Sequence, residues 1–416
     1  MRDENKGGQE GLRMVGLSKS QARRFLLLKH GLLGPYRFKG KRGALEYIRQ
    51  AGCIQFDPVD VCGKNAELIL HARVQGFKKS MLYALLYEDR ALVDYPDKQL
   101  SIWPVEDWPY FARYRAAAKA EGEQFAALQQ HLGWAKDYIA AHGPVSAEEL
   151  PLSGKLPWYS AIHWSGNWHG ESNAARSVLE QLYTTGELVI HHKLGARKVY
   201  DLAERHILQA LLAAEDPLPA VQDHIEWRVL RRIGAVGLLW NAASCAWLGI
   251  DGMKAVARNE AFAALLEKGE ILPVAVEGMR APMYCRAGDA PLLEQARSGE
   301  RFTPRCALLA PLDCLLWDKK LIRTLFDFDY TWEIYTPQEK RKYGAYVLPM
   351  VCGERFIGRA EAVPDRKSGV LQVRNIWYED GVRETKALRA NVERCMCRFA
   401  AFNGCAQLQM TDNGSE

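Results

Sequence analysis

One pattern limits the fold of this chain more than any other, because it occurs twice. Residues 174–182 have helical spacing, stop near Gly186, and continue as Glu187-Leu188-Val189-Ile190 and, after a turn, Lys198-Val199-Tyr200-Asp201. Further along, residues 259–266 repeat the helix, and Gly269-Glu270-Ile271-Leu272 with Met283-Tyr284-Cys285 repeat the rest. Glycine at the helix end supplies a left-handed C-cap, and two short apolar runs after it pair as a hairpin. Two further helical stretches precede each copy. In the first they are residues 135–141 and a helix capped by Ser146, with Glu149 at the capping-box position. In the second they are residues 228–233 and 235–239. Three helices and a hairpin form the winged helix-turn-helix layout, whose third helix meets DNA and whose hairpin is the wing. Units of this shape also serve as protein-interaction modules, and the pattern alone leaves both uses open.

Upstream, Ser18 caps a helix carrying residues 25–28, after a polar, Gly-rich tail over residues 1–16. A second helix holds Leu45 and Ile48, a third runs through Asn65, Leu68, Ile69, His71 and Arg73, and residues 83–86 continue as apolar helix. Residues 91–95 read as a short strand, so this region suits one more, elaborated winged unit. From Cys306 the texture alternates, with strands expected over 331–335, 345–349, 356–360 and 370–373 and a closing helix over 384–403. The expectation is an α+β chain of tandem winged helix-turn-helix domains with a C-terminal antiparallel β-barrel. Its boundaries are a tail 1–16, winged domains 17–128, 129–221 and 222–300, the barrel 301–403, and a tail 404–416.

With 416 residues there is ample chain for about two to four domains. Net charge is only +5, so any nucleic-acid surface must come from local clusters. No run of about 18 apolar residues suggests a membrane span, and Met1-Arg2-Asp3-Glu4-Asn5-Lys6 lacks a secretory signal's apolar segment. Ten cysteines are scattered without a CxxC pair, which reads as reduced core thiols in a cytoplasmic protein without disulfides. Cys395, Cys397 and Cys405 have no spaced histidine partner, and no metal is expected. The absence of a P-loop, a GxGxxG after a strand and a GxSxG elbow argues against an NTPase, a dehydrogenase and a serine hydrolase.

The chemistry-bearing stretch is Gln55-Phe56-Asp57. In an extended segment the amide and carboxylate point one way and the ring the other, so one face could hold a water while the other anchors the segment. Asp57-Pro58 is equally the signature of a helix start, with Asp57 as N-cap. Basic clusters fall in four loops: Lys39, Lys41 and Arg42; His191, His192, Lys193, Arg197 and Lys198 in an exposed wing; Arg341 and Lys342; and Arg366 and Lys367. One such cluster is a solvated face; four of them suggest a phosphate track. The aromatic stretch 158–169 suits either base stacking or burial against a neighbouring domain, and His163 and His169 have no acidic partner spaced to complete a metal site.

With these pieces in place, the chain resembles the YcaQ/AlkZ family of winged-helix DNA glycosylases. The resemblance is carried by Gln55-Phe56-Asp57, Gly186-Glu187-Leu188-Val189 with Val199-Tyr200-Asp201-Leu202, and Pro311-Leu312-Asp313-Cys314-Leu315-Leu316-Trp317-Asp318. It continues in Trp332-Glu333-Ile334-Tyr335-Thr336-Pro337, Arg341-Lys342-Tyr343-Gly344 and Gly358-Arg359. The resemblance implies three winged units and a barrel around a concave DNA surface, acting on double-stranded DNA with alkylated or crosslinked guanine; a clamp of three winged units needs no partner copy, so a monomer is expected. It also implies monofunctional, cofactor-free excision of N7-alkylguanine, including unhooking of mustard-type interstrand crosslinks, and Asp57 in place of a second Gln suggests the broad-specificity branch. N7-alkylguanine is cationic and leaves readily, so the enzyme's task is to stabilise an oxocarbenium-like sugar and place a water. At ~4 Å and an effective dielectric near 20, one charge pair is worth about 4 kcal/mol, around a thousandfold in rate. Asp57 is therefore expected to be catalytic and Gln55 to orient the water or contact the sugar. No lysine lies in the motif to form a Schiff base, so strand cleavage is not expected. The rival is a non-enzymatic winged-helix DNA-binding protein or regulator in which Asp57 only caps a helix.

Overall fold

The computed structural model describes residues 14–158 and 171–410. Among them, one arrangement recurs three times: a helix, a short strand, further helical turns, a second main helix and a hairpin. In the first unit these are helix Gly40–Ala51, strand Ile54–Gln55, helices Asn65–Arg73 and Lys79–Tyr87, and strands Leu92–Asp97 and Gln99–Pro104. The second has helix Ala126–His142, strand Val145–Ser146, helix Ala174–Thr184, and strands Leu188–Leu194 and Arg197–Leu202. The third has helix Val221–Val236, strand Leu239–Trp240, one turn at Cys245–Trp247, helix Ala255–Glu267, and strands Ile271–Val276 and Met283–Arg286. In every unit the short strand pairs antiparallel with the second hairpin strand, giving the same sheet order.

Several details differ from the sequence expectation. Residues 228–239 are not two helices but the end of one, Val221–Val236, followed by the strand Leu239–Trp240. Ser146 ends a strand rather than opening a helix. Glu149 still accepts from the Ser146 N–H and Oγ–H, but the chain makes only a single turn there. Two strands reach into the stretches expected as tails: Val15–Leu17 adds a parallel strand to Ile271–Val276, and Gln407–Met410 adds one to Val370–Tyr378. Ser18 caps helix Lys19–Lys29 in a full capping box. That helix packs against Ala290–Arg297 and Lys319–Phe326, so the chain's N-terminal part belongs to the third unit as much as to the first.

The C-terminal region is a five-stranded sheet in the order Cys306–Leu308, Leu348–Cys352, Arg355–Asp365, Val370–Tyr378, Gln407–Met410, with helix Lys386–Phe402 packed on it. The last strand runs parallel to its neighbour, and among the described residues the two outer strands do not pair, so the sheet is open rather than a closed antiparallel barrel. Residues 331–335, expected as a strand, form a loop. Cys306 and Cys352 stand opposite each other on adjacent strands and form a disulfide, which corrects the expectation of ten free thiols. Their direct cross-strand register is what brings the two Sγ atoms together. Among the described residues no helix is long and apolar enough to cross a membrane.

Buried charge ties the units together. Asp97, beside the tip of the first hairpin, accepts from Arg228 and Arg232 at 2.6 Å and from Arg231 at 3.2 Å, all on the first helix of the third unit. Burial alone would push the Asp97 carboxyl up, but the three guanidinium groups override it and hold it well below the usual range. A side chain at Gly249 would put its Cβ 1.9 Å from the Asp97 carbonyl oxygen, so only glycine lets this hairpin seat. Arg73 and Asp313 make a second fully buried pair, at 2.6 Å, between the first unit and the C-terminal region.

Candidate active site

Helix Gly40–Ala51 ends at Gly52, whose φ of +73° turns the chain into strand Ile54–Gln55. The pairs Ile54–Ile102 and Gln55–Ser101 fix the strand, and the Phe56 N–H donates to Leu100 O at 2.9 Å, carrying the extended backbone one residue further. Alternation then separates the side chains. The Phe56 ring meets the second unit, where Lys193 Nζ lies 3.4 Å from its centroid. Gln55 faces the C-terminal region and lines a cavity of about 210 Å³ with Lys98, Trp317, Tyr330 and Trp332. Asn65 locks the segment in place, its Nδ2 donating to Gln55 O at 2.8 Å and its Oδ1 accepting the Leu312 N–H at 2.9 Å.

Asp57 is 7% exposed and caps no helix: the next helix begins at Asn65. Its Oδ1 accepts the Val59 N–H at 2.9 Å in a local turn, and its other oxygen has no hydrogen-bond partner among the described residues. Burial raises the carboxyl above its ordinary value, only partly offset by that N–H. Burial also raises the Tyr335 and Tyr346 hydroxyls, with the Asp57 charge adding to both, so the carboxylate lies within electrostatic reach of the 331–346 loop. The site therefore holds a desolvated carboxylate with a free oxygen and, two residues away, an amide on a cavity wall. Such a pair can hold a water or face a developing cation.

The basic residues divide. Lys193, expected in an exposed wing, is buried: its side chain is 4% exposed and ion-paired with Asp94, because the second unit's hairpin folds back over the first. Lys198 pairs with Glu180 at 2.8 Å and Arg197 with Glu148 at 2.6 Å. His191 and His192 are half-buried with their Nδ1 atoms 2.7 Å apart. Lys41 pairs with Asp89 and Arg42 with Glu46, beside Lys39 at the start of helix Gly40–Ala51, about 18 Å of helix away from the motif. Arg366 reaches Asp60 at 2.9 Å, bringing the hairpin tip that also carries Lys367 beside the motif. Arg341 and Lys342 sit on a loop wrapped around Glu333, whose carboxylate accepts the N–H groups of Lys342, Tyr343 and Gly344 at 2.8 to 3.0 Å. Burial would raise Glu333, but those three donors hold it below its ordinary value.

His191, Asp201 and His206 offer ligand atoms within 4.8 Å of one another. Asp201 is already engaged, however, by Leu202 N–H, Arg205 and His206, which makes this an internal polar network. Trp158 is buried, with Nε1 donating to Gln181 at 2.9 Å. His163 and His169 lie outside the described residues. Two site residues were missed from sequence. Tyr335, 79% exposed and within reach of the Asp57 charge, falls in the stretch expected as a strand. Lys98, 5% exposed, donates to Gln55 Oε1 at 3.1 Å; a lysine between two short strands carries no signal of burial.

A family model described as DNA glycosylase AlkZ-like matches residues 48–402. Among solved structures the chain is similar to the Streptomyces sahachiroi DNA glycosylase AlkZ, with a TM-score of 0.61 and 15% identity over 95% of this chain and 99% of that one. At that identity the likeness is one of fold.

Proposed function

The chain belongs to the AlkZ-like DNA glycosylase family, and we propose that it hydrolyses the N-glycosidic bond of N7-alkylated guanine in duplex DNA, including the guanines of mustard-type crosslinks. The observation that carries this reading is a desolvated Asp57 carboxylate with one oxygen free of hydrogen bonds among the described residues, two positions along the chain from the Gln55 amide on the cavity wall. The alkylated base already bears a positive charge, so it departs without a general acid. What the reaction needs is a carboxylate that steadies the oxocarbenium-like sugar or takes a proton from the attacking water. Asp57 performs that task and Gln55 orients the water or the sugar. Because burial keeps Asp57 poorly hydrated, its charge acts at a lower effective dielectric than in water.

In the same reading the three helix–hairpin units are winged-helix modules that cradle the duplex. Arg341 and Lys342, Arg366 and Lys367 supply phosphate contacts next to the motif, with Lys39 further along the track and the whole acting as a monomer. The test is single-turnover incubation with a duplex carrying one N7-methylguanine and, separately, a nitrogen-mustard crosslink, followed by alkali to reveal abasic sites. Abasic product from both is expected. Tight binding to undamaged duplex with no product from either substrate would favour a non-enzymatic DNA-binding protein instead.

A further inference from the structure

We propose that Lys98 is the amine nucleophile of a second activity, incision of the DNA strand at an abasic site through a Schiff base. Lys98 forms the tip of the first unit's hairpin, where Asp97 and Gln99 pair directly and Gln99 takes a φ of +60°. A lysine at a hairpin tip is ordinarily solvated. Here the three arginines on Asp97 draw the tip into the protein, and Lys98 ends up on the wall of the cavity that Gln55 lines. Its Nζ contacts Gln55 Oε1 and lies 4.8 Å from the centroid of the Trp317 ring, and it makes no ion pair among the described residues. A buried ammonium without a carboxylate partner sheds its proton readily. Burial, reinforced by Arg232, lowers Lys98 to about 8, so a usable fraction is the free amine near neutral pH.

The inference rests on the reading that this motif handles damaged deoxyribose. The Lys98 amine adds to the C1′ aldehyde of the ring-opened abasic sugar and water leaves, giving a protonated imine. A base, either water or the Asp57 carboxylate, takes a C2′ proton. The C2′–H electron pair forms the C1′=C2′ bond of a neutral enamine. The nitrogen lone pair then restores the iminium as that pair shifts to C2′=C3′ and the C3′–O3′ bond breaks, its electrons leaving with the 3′ phosphate. Water then hydrolyses the imine, freeing the Lys98 amine and leaving an unsaturated aldehyde on the upstream strand. No oxidant, reductant or metal is required. The expectation of excision without strand cleavage came from the family resemblance and from the lack of a lysine within the motif, and the fold brings a lysine to the motif from elsewhere in the chain.

The experiment uses the full chain and a duplex with a preformed abasic site, made by removing a single uracil, so it needs no glycosylase activity. Borohydride added during incubation should trap a covalent protein–DNA adduct, and peptide mapping should put the modification on Lys98. Incision by wild type should exceed that of Lys98→Met, whose apolar chain fills the same space beside Trp317, by about tenfold or more. No adduct, or an adduct mapped to another amine, overturns the proposal, and the mapping requires no variant to fold. Trapping without excision of N7-methylguanine would keep this inference and sink the glycosylase reading; excision without trapping would do the reverse.

Discussion

Asp57 carries the account's residue-scale consequences, because its environment is set against its ionised form. Burial raises its carboxyl, and among the described residues no cation is paired to it. A folded-state pKa above the unfolded one means the fold favours the protonated form, an advantage present at low pH and lost as pH rises through the folded pKa. Asp57 therefore works against stability at neutral pH. Asp57→Asn keeps an oxygen for the Val59 N–H and removes the buried charge, so its thermal midpoint at pH 7 should equal or exceed that of wild type. Excision needs the carboxylate, so its rate should fall as pH drops through a midpoint above the usual aspartate value, read from single-turnover rates against pH. The phosphate contacts divide by exposure. Lys342→Ala, which removes an exposed lysine with no ion pair among the described residues, should weaken duplex binding and reduce the salt slope by about 1. Lys193→Ala should leave the slope unchanged and lower stability, because it strands Asp94 in the interior.

At the scale of elements, legibility followed periodicity. Long apolar helices and the hairpins behind Gly186 and Gly269 announce themselves by spacing and glycine stops. The short strands Ile54–Gln55, Val145–Ser146 and Leu239–Trp240 span two residues each and have no period to read; only their partner strands define them. The 331–335 loop has alternating residues like a strand, yet Glu333 turns inward to collect three backbone N–H groups, and that demand overrides the pattern. The pairing of the Trp332–Pro337 and Arg341–Gly344 signatures thus has a local cause: one carboxylate folds the second stretch around the first. Glu333→Ala should release this loop and lower affinity for duplex DNA, with protease sensitivity rising between residues 336 and 345, checked by limited proteolysis and equilibrium binding. The Gln55-Phe56-Asp57 motif was readable as a pair of polar groups around a ring. Lys98 and Lys193 were not, because their burial depends on Asp97 and Asp94 meeting other units.

Across the whole molecule, the site exists only because several parts of the chain converge. The first unit supplies the motif and Lys98, the second covers Phe56, the third grips Asp97, and the C-terminal region closes the cavity with Trp317 and Trp332. Asp97 is the most consequential of these ties, since it balances the buried Arg228 and Arg232 and shares Arg231 with Asp107. Asp97→Asn should destabilise the fold by about 3–5 kcal/mol, the cost of leaving buried cations without their counter-charge, measured by denaturant unfolding. The most direct test of the central claim is the single-turnover rate of N7-methylguanine excision by wild type and Asp57→Asn, with duplex affinity measured on the same preparations. Abasic product is expected from wild type, with a rate about a hundredfold or more lower for the variant and equal affinity for both. Equal excision by the two proteins would contradict the claim.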